Sequence, residues 1–144
     1  MGQGGLSVAE TYIDPSRENF EVFKSLPRDT PLHMLNLIKY RDLAEYPEGH
    51  PNHGKGLTGR EAYAIYKQAF QALVKDSGAA MVWHAPMECV VTGPQGEWDE
   101  AFVMGYPDAG AFFAMVKDEV YARDALPHRT AAVADSRLIR FRGA

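Results

Sequence analysis

Near the end of the chain, LPHRTAAVADSRLIRF sets an imidazole, His128, beside a guanidinium, Arg129, between a proline and an apolar stretch. A guanidinium presents a planar fork of donors that matches a carboxylate or phosphate, and an imidazole exchanges a proton near neutral pH. The pair reads as a solvated turn, with Arg129 tied to an acid such as Asp135, or as a segment whose charges close a pocket. Asn36 interrupts the apolar run LHMLNLIK. An amide buried there without partners costs about 1–3 kcal/mol, so it must be bonded to neighbouring backbone, to a second subunit or to a ligand. Tyr63 and Tyr66 stand one helical step apart, and their hydroxyls need partners wherever the rings are buried. Core packing explains both rings, and Tyr66 is the better candidate to line a pocket. Trp83 and His84 are adjacent on an extended segment and point to opposite faces. Trp83 shares its face with apolar residues and reads as core or pocket wall, whereas His84, on a mixed face, reads as facing a partner subunit.

Other constellations exclude chemistry. His50 and His53 in EGHPNHGKG make a His-x-x-His pair without the further ligands that zinc requires, so no metal site is expected. The single cysteine, Cys89, cannot form an internal disulfide and, within MECVVT, reads as a small buried hydrophobe. No glycine-rich phosphate loop, GxSxG or HExxH is present. With a net charge of -4 and no Lys/Arg block, the chain lacks the basic surface that neutralises phosphates, so nucleic acid is not an expected partner. No apolar run reaches membrane-spanning length and MGQGGLSVAE is not a signal peptide, so a cytoplasmic protein with no membrane partner is expected.

The elements that position these residues follow from periodicity and punctuation. Residues 1–30 read as an N-terminal extension. Residues 1–13 are expected to be draped or poorly ordered, and Asp14 and Pro15 start a short helix with Phe20, Phe23 and Leu26 on one face. PLHMLNLIKY (31–40) is a buried strand, followed by a long Pro/Gly/His connection over 42–57. TGREAYAIYKQAFQALVKDSG (58–78) is the strongest helix, opened by a Thr58/Glu61 capping box and closed at Gly78. Residues 79–93 and 98–107 form a hairpin, with Pro86 implying a bulge or an edge. Asp108 caps a second helix that breaks near Asp118, and SRLIRF (136–141) is the last strand. Strand, helix, strand, strand, helix, strand is the split βαβ order, an α+β ferredoxin-like domain over 31–144 with a four-stranded antiparallel sheet. Both helices cover one sheet face, so a second copy of the chain is the simplest cover for the other.

MLNLIKYRD, GREAYAIY, the strand around MVWHAP and YARDALPHRTAAVADSRLI together resemble domain-of-unknown-function family 1330, over about residues 31–142. Asn36 falls in the MLNL motif, and His128 and Arg129 in the PHR segment. The resemblance implies a homodimeric α/β barrel of the dimeric α/β-barrel superfamily, with two sheets packed face to face. It also implies a small-molecule pocket between each sheet and its helices. The expected function is therefore binding of a small anionic or aromatic organic molecule: Arg129 would hold the anion, Trp83 and Tyr66 would form walls, and Asn36 would orient the ligand. Two alternatives stand beside it. One is a cofactor-free enzyme, an oxygenase or isomerase, with His128 as acid/base. The other is a non-catalytic ligand sensor or assembly partner. No cofactor is expected, haem being the weaker option because it needs a proximal histidine in the pocket.

Overall fold

The computed structural model describes residues 10–143; residues 1–9 of the expected extension lie outside them. In chain order the elements are α1 (Arg17–Ser25), β1 (Leu32–Tyr40), α2 (Gly59–Val74), β2 (Ala80–Pro86) and β3 (Glu100–Tyr106). They continue as α3 (Ala109–Lys117), a π-helical turn (Tyr121–Ala125), α4 (Leu126–Ala132) and β4 (Val133–Arg142). The strands form one sheet in the order β2-β3-β1-β4, with every neighbouring pair antiparallel. This is the ferredoxin-like α+β arrangement, with β1 and β3 interior.

Alternation sorts the side chains into two faces. On β3, Phe102, Met104 and Tyr106 are buried against the helices together with Glu100, and the intervening residues face away. Register carries that division across the sheet. His84, Phe102, Asn36 and Leu138 form one row on the helix face, and Trp83, Val103, Leu35 and Ile139 form a row on the open face.

The helices have the local signals that long, periodic segments carry. Thr58 and Glu61 make the capping box in full, each side chain bonding the other's backbone N–H. Buried Ala62, Tyr63, Tyr66, Phe70 and Val74 then form the inward stripe of α2. Gly59 is required by close approach, because a Cβ there would fall 2.1 Å from the Arg41 carbonyl oxygen and 2.9 Å from that of Ala132. The second helix breaks at Asp118, which caps α3 in extended conformation.

Several expectations are corrected. The N-cap of α1 is Ser16, whose hydroxyl accepts from the Asn19 N–H, so Asp14 and Pro15 precede the helix. Regular pairing in β2 stops at Pro86, leaving residues 87–99 irregular and Cys89 exposed rather than buried. The segment containing His128 and Arg129 is helical: Pro127 occupies the first turn of α4, where a missing N–H costs nothing, and β4 starts directly at Val133. The bulge in β2 lies between Met81 and Trp83, ahead of Pro86, and it reverses which residues face the helices.

Candidate functional site

A cavity of about 470 Å³ lies between the helix face of the sheet and the overlying helices, within the range of small-molecule sites. Met34, Phe102 and Met104 form its floor, and Phe70, Phe112 and Leu126 its apolar walls. The N-terminal segment covers part of it, since Asp14, Pro15, Ser16, Arg17 and Phe20 all line it. That segment is held from two sides. Phe20 and Phe23 pack on Phe112 and Phe113 of α3 with ring centroids 5.2–5.6 Å apart. Ser136 Oγ donates to the Tyr12 carbonyl at 2.7 Å, and the Tyr12 N–H donates to Asp135 at 2.9 Å.

Polar groups converge on the cavity from five elements. Arg129 of α4, only 9% exposed, donates to the Ile13 carbonyl and, at 3.3 Å, to Ser136 Oγ. Among the described residues, the one carboxylate paired with it is that of Asp14, at 3.7 Å and largely solvent-exposed. Asp135, the acid expected to partner Arg129, pairs instead with Arg137 at 2.8 Å. Asn36 stands in the cavity wall with its amide donating to the Met34 carbonyl at 3.2 Å. Tyr66 of α2 and Tyr121 of the π-helical turn bring their hydroxyls to 3.3 Å from one another, and Tyr106 also lines the cavity. Burial, reinforced by the neighbouring hydroxyls, pushes the phenol of Tyr66 well above its ordinary range, and burial likewise raises Tyr106. Both stay protonated and remain hydrogen-bond donors. The site thus joins an apolar, aromatic chamber to a polar end made by the nearly buried Arg129 guanidinium, one amide and three phenols, with Arg17 of the covering segment also in the lining. Such a site can hold an apolar body with an oxygen-bearing or anionic head.

Of the residues singled out in the sequence, Asn36, Tyr66 and Arg129 meet around this cavity; Trp83 and His128 do not. Trp83 pairs with Val103 on the open sheet face and is 51% exposed, because the bulge after Met81 turns it away from the helices. His84 takes the helix-facing position opposite Phe102, on the side of the sheet that the helices cover. On α4, adjacent residues point about 100° apart, so His128 turns from Arg129 toward the 42–57 connection. There the Tyr46 hydroxyl and His128 Nδ1 are hydrogen-bonded at 2.6 Å, and His50 stacks on Tyr46. Burial and the nearby His50 hold His128 below its ordinary pKa, opposed by Asp124. His53 Nδ1 donates to the Tyr46 carbonyl at 2.9 Å, so both loop histidines serve the local structure. Among the described residues no group of three His, Cys, Asp or Glu is placed to hold a metal ion, and no helix is long and apolar enough to cross a membrane.

Sequence reasoning passed over Tyr106, Tyr121 and the covering segment. Tyr106 was open to discovery, since it continues the Phe102/Met104 alternation into the same face. Tyr121 follows the break at Asp118, where periodicity carries no information.

Fold and site together define a ferredoxin-like α+β protein with a chamber between sheet and helices. Two crystal structures of RPA0582, a protein of unknown function from Rhodopseudomonas palustris, are similar to this chain in fold and in sequence. The methylated form is 41% identical, with a TM-score of 0.83, covering 93% of this chain and 96% of its own. The other is 40% identical, with a TM-score of 0.82, covering 94% and 98%. The chain belongs to the RPA0582 family. A dabb family protein with a ferredoxin-like fold from Mesorhizobium loti is far more distant, at 10% identity and a TM-score of 0.47, over 79% of this chain and 97% of its own. No protein-family model and no curated protein matches the chain.

Proposed function

We propose that each chain binds one small aromatic or apolar organic molecule carrying an anionic head in the cavity under α1, with the head against Arg129. The observation that carries this reading is the pairing of a large apolar chamber with a nearly buried guanidinium whose one carboxylate partner is distant and solvated. Tyr66, Tyr121 and Asn36 orient the head, and Phe70, Phe102 and Phe112 hold the body. The reading is one of binding, since the lining has no histidine and its one carboxylate, Asp14, lies largely in solvent. The proposal includes self-association as a dimeric α/β barrel, with membership of family 1330 as the motifs suggest. Its support is the open sheet face, where Val82, Trp83, Ile139 and Phe141 expose apolar surface that a second sheet would cover.

Calorimetric titration with 2-naphthoate, and with the neutral 2-naphthalenemethanol, tests the site. Saturable binding of one naphthoate per chain is expected, about tenfold tighter than the alcohol, as loss of one charge-assisted hydrogen bond implies. Met104→Trp, which fills the floor, should abolish both. Absence of naphthoate binding, or equal binding by the filled variant, overturns the reading. Sedimentation should show a dimer that Trp83→Asp converts to monomer; a monomeric parent protein would remove the barrel pairing.

A further inference from the structure

A second cleft, of about 270 Å³, lies between α2 and the β2–β3 side of the sheet and shares no lining residue with the cavity above. Tyr40, Arg60, Lys67, His84 and Glu100 surround it. At its base is Glu100, 2% exposed, a carboxylate set into the helix face of an interior strand. Charge can be buried at such a place only when it is well partnered. Lys67 Nζ reaches both of its oxygens, at 3.1 and 3.0 Å, and His84 Nε2 reaches Oε2 at 2.8 Å. Glu100 therefore fixes the positions of an ammonium and an imidazole, leaving His84 Nδ1 without a partner among the described residues.

The charges around the cleft do not balance. Arg60 joins no ion pair among the described residues, and its guanidinium lies over the Tyr40 ring, 4.9 Å from the centroid. Stacked there, it keeps its N–H edge free for a planar oxyanion. A guanidinium, an ammonium and an imidazole thus face a single carboxylate already claimed by two donors. The strain of this excess is felt by its members. After burial, the positive charge of Arg60 depresses Lys67, and that of Lys67 depresses His84.

We propose that this cleft is a second binding site, which takes a small oxyanion, carboxylate or phosphate, between Arg60, Lys67 and His84. Glu100 acts as a positioning residue, holding the Lys67 ammonium and the His84 ring in place while Arg60 supplies the uncompensated charge. An anion there favours the imidazolium form of His84. Because the two sites share no residues, this inference stands apart from the cavity reading.

The test is an NMR titration of the full chain with sodium phosphate and, separately, sodium malonate, each against sodium chloride at matched ionic strength. The His84 ring and the Arg60 side-chain resonances are followed. Saturable shifts confined to this cleft are expected with one oxyanion or both, together with a rise in the His84 pKa. The ion that saturates at lower concentration distinguishes phosphate from carboxylate ligands. Arg60→Gln, a change at an exposed helix position, should leave the remaining spectrum intact and weaken binding about tenfold, the loss of one charge-assisted contact. Shifts that rise linearly, appear equally with chloride, or persist unchanged in Arg60→Gln would overturn the proposal.

Discussion

Tyr63 allows a substitution whose effect should run against the usual direction. Its side chain is 0% exposed, its ring meets Tyr66 at 5.1 Å and Tyr40 at 5.6 Å, and its hydroxyl has no partner in the protein among the described residues. Burial raises that phenol far above its ordinary range, so the hydroxyl is a neutral group taken out of water without compensation. An unsatisfied buried hydroxyl costs about 1–3 kcal/mol, whereas phenylalanine of the same shape retains the packing. Tyr63→Phe should therefore stabilise the chain by about 1 kcal/mol, equivalent to a rise in Tm of roughly 3 °C at this size. Urea unfolding followed by circular dichroism should show a higher midpoint at unchanged slope. Tyr66→Phe, one turn along the same helix face, is the control. It leaves the Tyr121 hydroxyl without its 3.3 Å partner and should destabilise by about 1 kcal/mol. If Tyr63→Phe lowers stability by more than about 0.5 kcal/mol, or if the two variants shift in the same direction, the Tyr63 hydroxyl is satisfied in solution and the reasoning is refuted.

Two further substitutions probe the surroundings of the sites. Phe112 packs edge-on against Tyr106 at 5.5 Å and Phe23 at 5.2 Å, so it joins the chamber wall to the α1 cover. Phe112→Ala should cost about 3–5 kcal/mol in urea unfolding, and a loss below about 1 kcal/mol would show that the cover is not anchored there. Burial raises the Glu100 carboxyl from 4.5 to about 7, so the folded state holds this proton more tightly than the unfolded chain does. That contribution is complete below pH 4.5 and lost as pH rises through about 7. The stability of the parent protein relative to Glu100→Gln should accordingly fall by about 1–3 kcal/mol between pH 5 and 8, Lys67 and His84 holding it toward the lower figure. A difference independent of pH would mean that Glu100 is ionised throughout.

How far the fold could be read depended on where side chains repeat and where the chain departs from repetition. The capping box at Thr58, the stripe of α2 and the break at Asp118 are local signals, and the structure carries each of them. Strand order followed from the alternation of strands with helices. The face of Trp83 did not, because a bulge inserts one residue without a distinctive sequence and reverses every assignment beyond it. At the candidate site, Asn36 and Arg129 stood out as polar residues in apolar surroundings. His128 stood out equally, yet its direction depends on α4 being helical, and LPHRT carries proline and polar residues that read as a turn. Glu100 was unreadable for a different reason. Its partners Lys67 and His84 belong to distant elements, brought together by the β2–β3 register and by the packing of α2 on the sheet.

The most direct test of the central claim is native mass spectrometry of the protein mixed with 2-naphthoate, beside Met104→Trp under the same conditions. One bound naphthoate per chain on the parent protein and none on the filled variant is the expected result. No more adduct on the parent than on Met104→Trp would contradict the assignment of the chamber as a binding site.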